Sequence, residues 1–133
     1  MFLGKYRTTF SGNKRVILPK KFRQSLKENE ILLMLGLDGG IWGFAKVDFE
    51  NLGKEILKLP LQETTGRMLR RRFFGSAEQM DLDKQGRFII PLKFVTNALL
   101  DKEILIIGAG DHFEIWDPEQ YEKFMTSDTV GKT

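Results

Sequence analysis

A chain of 133 residues, 41% hydrophobic and 29% charged, holds one domain or two very small ones and has enough apolar surface to fold, which excludes a disordered polymer. Its lack of cysteine excludes disulfides and thiolate metal sites, and its longest apolar run, Ile31 to Leu35, is too short to cross a bilayer. The net charge of +3 hides a division: residues 1–72 carry 15 basic and 7 acidic side chains, and residues 73–133 carry 6 basic and 11 acidic ones.

The first stretch, Gly4 to Arg23, is the most one-signed. From Met1 to Lys27 there are eight Lys or Arg and no Asp or Glu. Alternation puts Lys5, Arg7 and Thr9 on one face of a strand and Tyr6, Thr8 and Phe10 on the other. Ser11-Gly12-Asn13 is turn chemistry, with Gly12 and Asn13 both tolerant of positive φ. Arg15 leads into Val16-Ile17-Leu18, stopped by Pro19. The pattern predicts a β-hairpin with a wet cationic side, followed by a helix over Pro19–Lys27 with Phe22 and Leu26 facing the core. A rigid surface of one sign points to a polyanion.

Ile31 to Leu37 reads as a buried strand, Asp38-Gly39-Gly40 as a tight turn, and Ile41-Trp42-Gly43-Phe44 as the partner strand. Asp48 is expected to cap a helix running to Leu57, with Phe49, Leu52 and Ile56 on its apolar face. A further helix from Gln62 to Phe74 carries Arg67, Arg70, Arg71 and Arg72. The expectation for them is an exposed or interfacial ion-pairing face in preference to DNA contact.

The order then repeats. Arg15-Val16-Ile17-Leu18-Pro19 recurs as Arg87-Phe88-Ile89-Ile90-Pro91, Phe22 as Phe94, Ile31-Leu32-Leu33 as Ile104-Leu105-Ile106, and Ile41-Trp42 as Ile115-Trp116. Pro118 to Met125 supplies the matching final helix. The predicted organisation is a ββαββα-like repeat over 1–60, a connecting basic helix over 61–73, a second repeat over 74–126 and a frayed tail over 127–133. Neither copy is large enough to bury a stable core alone, so the two are expected to pack about a pseudo-two-fold, with Arg15 and Arg87 as symmetry mates.

Asp83-Lys84-Gln85-Gly86-Arg87-Phe88-Ile89-Ile90-Pro91, its weaker copy at Asn13 to Pro19 and the opening Met1-Phe2-Leu3-Gly4 resemble the MraZ family, tandem SpoVT/AbrB-type proteins of bacterial division and cell-wall gene clusters. The resemblance covers nearly the whole chain. It implies an α+β, sheet-rich fold: a swapped-hairpin β-barrel with peripheral helices. It implies sequence-specific binding to tandem promoter repeats, usually as a repressor, by a closed ring of chains in the cytoplasm and at the nucleoid. The family signature maps onto Asp83 and Arg87. In the first copy it maps onto Ser11 and Arg15, so the aspartate is missing. Gly86 is matched by Lys14, so the first turn is expected to differ in geometry.

The DNA-binding candidates are therefore Lys5, Arg7, Lys14, Arg15, Arg23, Lys84 and Arg87, with Lys93 as the remaining cation near the second turn. Gly12, Asn13, Asp83 and Gly86 are the turn-forming or orienting residues. Arg15 is the candidate for base or bidentate phosphate contact, because its guanidinium fork is planar. Asp83 is expected to cap the turn or orient Arg87. The counterpart of Arg23 is Val95, and the second strand offers Ala77, Gln79 and Asp81 where the first offers Lys5, Arg7 and Thr9, so binding is expected to be asymmetric and dominated by the first repeat.

His112, the only histidine, reads as a turn residue, since no nucleophile or second imidazole accompanies it. Trp42 and Trp116 read as packing residues. No residue constellation supports an enzyme, a cofactor, a metal or a small-molecule substrate. Two other functions compete with DNA regulation: an antitoxin and an oligomeric scaffold. The short tail counts against the antitoxin.

Overall fold

The computed structural model describes residues 1–127; the tail expected at 127–133 lies outside the described residues from position 128 onward. Among the described residues, eight strands and five helices follow one another as β1 (Lys5–Thr9), β2 (Arg15–Ile17), α1 (Lys20–Arg23), β3 (Glu30–Leu35), β4 (Ile41–Phe44), α2 (Lys46–Leu57), α3 (Thr64–Ser76), β5 (Glu78–Asp81), β6 (Arg87–Ile89), α4 (Leu92–Asn97), β7 (Glu103–Gly108), β8 (Phe113–Trp116) and α5 (Pro118–Met125). The order β1β2α1β3β4α2 thus recurs after α3 as β5β6α4β7β8α5.

The strands pair antiparallel throughout, in a six-stranded sheet ordered β1-β7-β8-β4-β3-β5 and a two-stranded ribbon of β2 and β6. The expected hairpin between β1 and β2 does not form. One isolated bridge, Ser11 to Arg15, is all that joins the two arms. β1 instead pairs over its full length with β7 of the other repeat, from Lys5 opposite Ile107 to Thr9 opposite Glu103. β5 pairs likewise with β3. The reason is burial: β2 is three residues long with Val16 turned inward, whereas β7 offers β1 a long apolar strand. Each copy completes the other, as the swapped arrangement requires. No ladder joins the ribbon to the sheet among the described residues.

The register respects exchange of the two copies. In the ribbon, Val16 faces Phe88, and Arg15 opposite Ile89 mirrors Ile17 opposite Arg87. In the sheet, Ile41 faces its own counterpart, Ile115. One core cluster draws on both repeats: Val16, Phe22 and Ile31 from the first, Phe88, Phe94 and Ile104 from the second. Phe22 is edge-on to both Phe2 and Tyr6, with ring centroids 5.3 and 5.2 Å apart.

A second cluster of Met34, Phe44, Ile56 and Phe73 docks α2 and α3 on the sheet, with Phe49 stacked on Phe73 at 4.4 Å. Phe49, Leu52 and Ile56 form the expected apolar face of α2. Asp48 is not its cap: the helix starts at Lys46 after an extended Ala45, and Asp48 sits in the first turn. Helix α1 is also shorter than expected, ending at Arg23, although Leu26 still packs against the core. Trp116 is buried against Tyr121 and Phe124 of α5, and Trp42 packs on Phe44. No helix among the described residues is long and apolar enough to cross a membrane.

Candidate nucleic-acid interface

The ribbon is held at each end by a turn from the opposite repeat. The Leu18 amide, just past β2, donates to the Gly86 carbonyl at 2.9 Å, and the Ile90 amide, just past β6, donates to the Lys14 carbonyl at 3.0 Å. The two turns therefore flank the ribbon, and Lys14, Arg15, Arg87 and Lys84 come together along one surface. Alternation turns Val16 and Phe88 inward and leaves Arg15, Ile17, Arg87 and Ile89 on the outer face.

The two turns close alike. The Ser11 amide donates to the Arg15 carbonyl and the Asp83 amide to the Arg87 carbonyl, both at 2.8 Å. Gly86 has φ +80°, and its counterpart Lys14 takes φ +59°. A lysine thus adopts the left-handed conformation that glycine adopts freely, at a cost of about 1 kcal/mol or more. At that position the two turns agree, but the first differs in geometry, as expected, at Gly12, whose counterpart Lys84 is not left-handed. Gly12 is left-handed too, at φ +65°, but Asn13 is not.

The side chains do diverge. Asp83 Oδ1 accepts from the amides of Gln85 and Arg87, both at 2.9 Å, and Oδ2 accepts from Arg87 Nε at 2.8 Å. The carboxyl titrates below its ordinary range, first because the Arg87 amide binds its charged form, with the Arg87 side chain adding to the effect. Asp83 thereby both closes the turn and orients Arg87. In the first copy Ser11 replaces it. The Ser11 hydroxyl reaches only the Arg15 carbonyl, at 3.4 Å, and Arg15 has no ion pair among the described residues. One guanidinium is anchored and its mate is not.

Arg23 crosses to the second turn. Its Nη1 donates to the Gln85 carbonyl at 3.3 Å, and a side chain at Gly86 would lie 2.5 Å from Nη1 and 2.6 Å from Nε. Lys14 Nζ sits 4.9 Å from the Phe10 ring centroid, and Lys93 pairs with Glu78 at 3.4 Å.

Lys5 and Arg7 belong to a different surface. They lie on the exposed face of β1 beside α5, where Lys5 Nζ is 5.3 Å from the Tyr121 ring centroid and Arg7 pairs with Glu103 at 3.6 Å. The strand swap separates them from Arg15, because β1 follows β7 into the sheet while β2 follows β6 into the ribbon.

Three of the four arginines of α3 have a role that their spacing did not suggest. Arg67 donates to the Leu61 carbonyl at 2.9 Å, Arg70 to the Leu57 carbonyl at 3.1 Å and Arg72 to the Gly36 carbonyl at 2.9 Å. They satisfy carbonyls at the end of α2, in the α2–α3 connection and in the β3–β4 turn. Helical periodicity places them on a surface but carries no information about distant carbonyls.

His112 lies in the turn entering β8. Its ring is 4.5 Å from Trp42 and 5.5 Å from Phe44, with Nδ1 2.8 Å from Asp111 and Nε2 3.2 Å from Glu114. No group of three or more His, Asp or Glu that could hold a metal ion occurs among the described residues.

Tandem repeats that exchange strands and share a cationic two-stranded ribbon define a duplicated α+β fold. Two successive segments, residues 1–72 and 73–130, match the family model described as "MraZ protein, putative antitoxin-like". The chain is 36% identical over 124 residues to the transcriptional regulator MraZ of Ligilactobacillus salivarius, covering 93% of this chain and 86% of that protein. It is 36% identical over 127 residues to the MraZ of Clostridium acetobutylicum, covering 96% and 89%, and 35% identical over 131 residues to that of Acetivibrio thermocellus, covering 98% and 91%. The chain belongs to the MraZ family. It is a transcription regulator and not an enzyme.

Proposed function

We propose that this protein binds short, specific elements of double-stranded DNA through the outer face of the β2–β6 ribbon. In this reading it represses a division and cell-wall gene cluster by occupying tandem promoter repeats. The observation that carries it is that Arg15 and Arg87 share the outer face of one two-stranded ribbon between two cationic turns. A two-stranded ribbon fits the major groove, where an arginine fork can bind a guanine edge or a phosphate in bidentate fashion. Lys14 and Lys84 fix the ribbon against the backbone. Lys5 and Arg7 contribute to the long-range field from the side. The strand-swapped halves act as one closed unit, and several chains assemble as a ring. Tandem repeats are then bound with avidity, since the second contact is effectively intramolecular.

The anchored Arg87 and the free Arg15 divide the work unequally. Arg15 adapts to the base or phosphate offered, and Arg87 is held in one pose by Asp83. A fluorescence titration of a duplex selected from a random pool, with scrambled duplex as competitor, tests this reading. Four to six phosphate contacts give a slope of log K against log salt of about −4 to −5. Arg15→Ala loses more affinity than Arg87→Ala. Equal binding of selected and scrambled duplexes would overturn sequence specificity, and no binding to either would leave the scaffold function.

A further inference from the structure

The ribbon's outer face carries two exposed isoleucines as well as two arginines. Ile17 is 41% exposed and Ile89 51% exposed, whereas Val16 and Phe88, one residue before each, are almost fully buried. The two isoleucines occupy matching positions in the two copies. Each stands directly opposite an arginine of the other strand: Ile17 opposite Arg87, and Ile89 opposite Arg15. Side chains paired in this way sit about 4.5–5.5 Å apart at Cβ. The surface is therefore a quartet with arginines on one diagonal and branched aliphatic groups on the other.

Repulsion between exposed aliphatic groups and water gives no reason to repeat this arrangement in both halves. Lys and Thr would suit a solvated ribbon better, and they would blunt it against unwanted pairing. A face that must meet the floor of a major groove has different needs. Of the base-edge groups in that groove, the thymine C5-methyl is the apolar one, and apolar side chains recognise it by contact. Guanine offers O6 and N7 to an arginine beside it. Along one strand Arg15 and Ile17 are two residues apart, roughly 6.8 Å, about two base-pair rises of 3.4 Å each. The quartet thus has the dimensions to read two bases with each strand.

We infer that Ile17 and Ile89 are specificity residues that contact thymine C5-methyl groups, so that each strand of the ribbon reads a thymine about two base-pair rises from the base held by its arginine. This inference rests on the DNA-binding reading above and adds the chemistry of the second base. The occupant of the apolar diagonal is duplex DNA and not another protein chain, because the apolar groups are interleaved with cations that would have to be neutralised when covered.

The test is a thymine-to-uracil exchange, which removes the methyl group and nothing else. The duplex recovered by selection is synthesised with each thymine replaced singly by uracil and titrated against the wild-type protein. At least two positions should weaken binding, each by about fourfold, the worth of one buried methyl. Ile17→Ala and Ile89→Ala should each lose a similar factor on the thymine duplex. Each should then be indifferent to uracil at one of those positions and remain sensitive at the other. Equal affinity of the wild type for every thymine and uracil duplex overturns the inference while leaving DNA binding intact, and so does a selected element without thymine. Retention of the full uracil penalty by both variants does the same. A lower assembly mass of the variants by light scattering, with the uracil penalty intact, assigns the face to a neighbouring copy. If the wild type binds no duplex at all, the parent reading falls with it. The wild-type arm needs no substitution, so a misfolded variant cannot obscure the result.

Discussion

The side chain of Arg23, at the end of α1, lies across the α-carbon of Gly86 in the turn of the other repeat. The contact has no mirror image, because the corresponding positions hold Val95 and Lys14. The first copy has placed its large side chain on the helix, and the second has removed the side chain from the turn beneath it. A helix of one repeat thus props the loop that presents Arg87.

Gly86→Ala meets two separate costs. The φ of +80° strains any side chain, by about 1 kcal/mol or more, and the new Cβ displaces the Arg23 guanidinium. In an Arg23→Ala background only the backbone cost is left. A double-mutant cycle by denaturant unfolding is expected to show a smaller Gly86→Ala penalty there than in the wild type. Identical penalties would mean that Arg23 yields without cost.

Gly43→Ala is expected to be the more damaging glycine substitution. A Cβ at this position in β4 runs into the buried Phe113 ring, with Cε1 only 2.8 Å away. The ring is fixed between Phe2 and Phe22, so it cannot step aside. Overpacking of this kind costs about 1–3 kcal/mol or more, read as a lower denaturant midpoint at unchanged slope.

Asp83 makes the second turn sensitive to acid. Its folded-state pKa lies below the ordinary value of 3.8, so its contribution is complete above that value and is lost as the pH falls through the folded value. The wild type is expected to lose more stability than Asp83→Asn on acidification from neutrality to below the aspartate range. The variant should also free Arg87 at neutral pH and narrow the difference between Arg15 and Arg87 in DNA titrations.

His112 acts in the opposite direction. Burial alone would lower its pKa, but its hydrogen bonds to Glu114 and then Asp111 outweigh burial and raise it above 6.5. Glu114 is pulled down in turn: burial opposes its ionised form, and the bonds from His112 and Trp116 overcome it. A raised histidine contributes fully below pH 6.5, and that contribution disappears as the pH rises through the folded value. Unfolding at pH 6 and pH 8.5 should show the wild type losing stability across this window, with a flatter profile for His112→Gln.

The two copies, the apolar face of α2 and the span of α5 were legible because periodicity and repeated motifs are local properties. Asp83 as an orienting group was legible because its target is four residues away. The partner of each strand was not. Val16 and Tyr6 advertise a buried face without naming who covers it, and this is why a hairpin was expected where strands exchange. The same limit applied to Arg67, Arg70 and Arg72, whose carbonyl partners lie on other elements. It applied to Lys5 and Arg7 as well, which adjoin Arg15 in sequence and part from it in the fold.

Because β1 finds its partner in β7 and β3 finds its partner in β5, the first half of this chain cannot finish folding while it is being synthesised. Until the ribosome has delivered residues past Asp81 the edge of β3 stays open and adhesive, and until it has delivered residues past Gly108 so does that of β1. Nascent chains on one message are then near enough to exchange segments with each other. Fusing the two copies into a single polypeptide shortens that dangerous interval, since each open edge drags its own cover behind it.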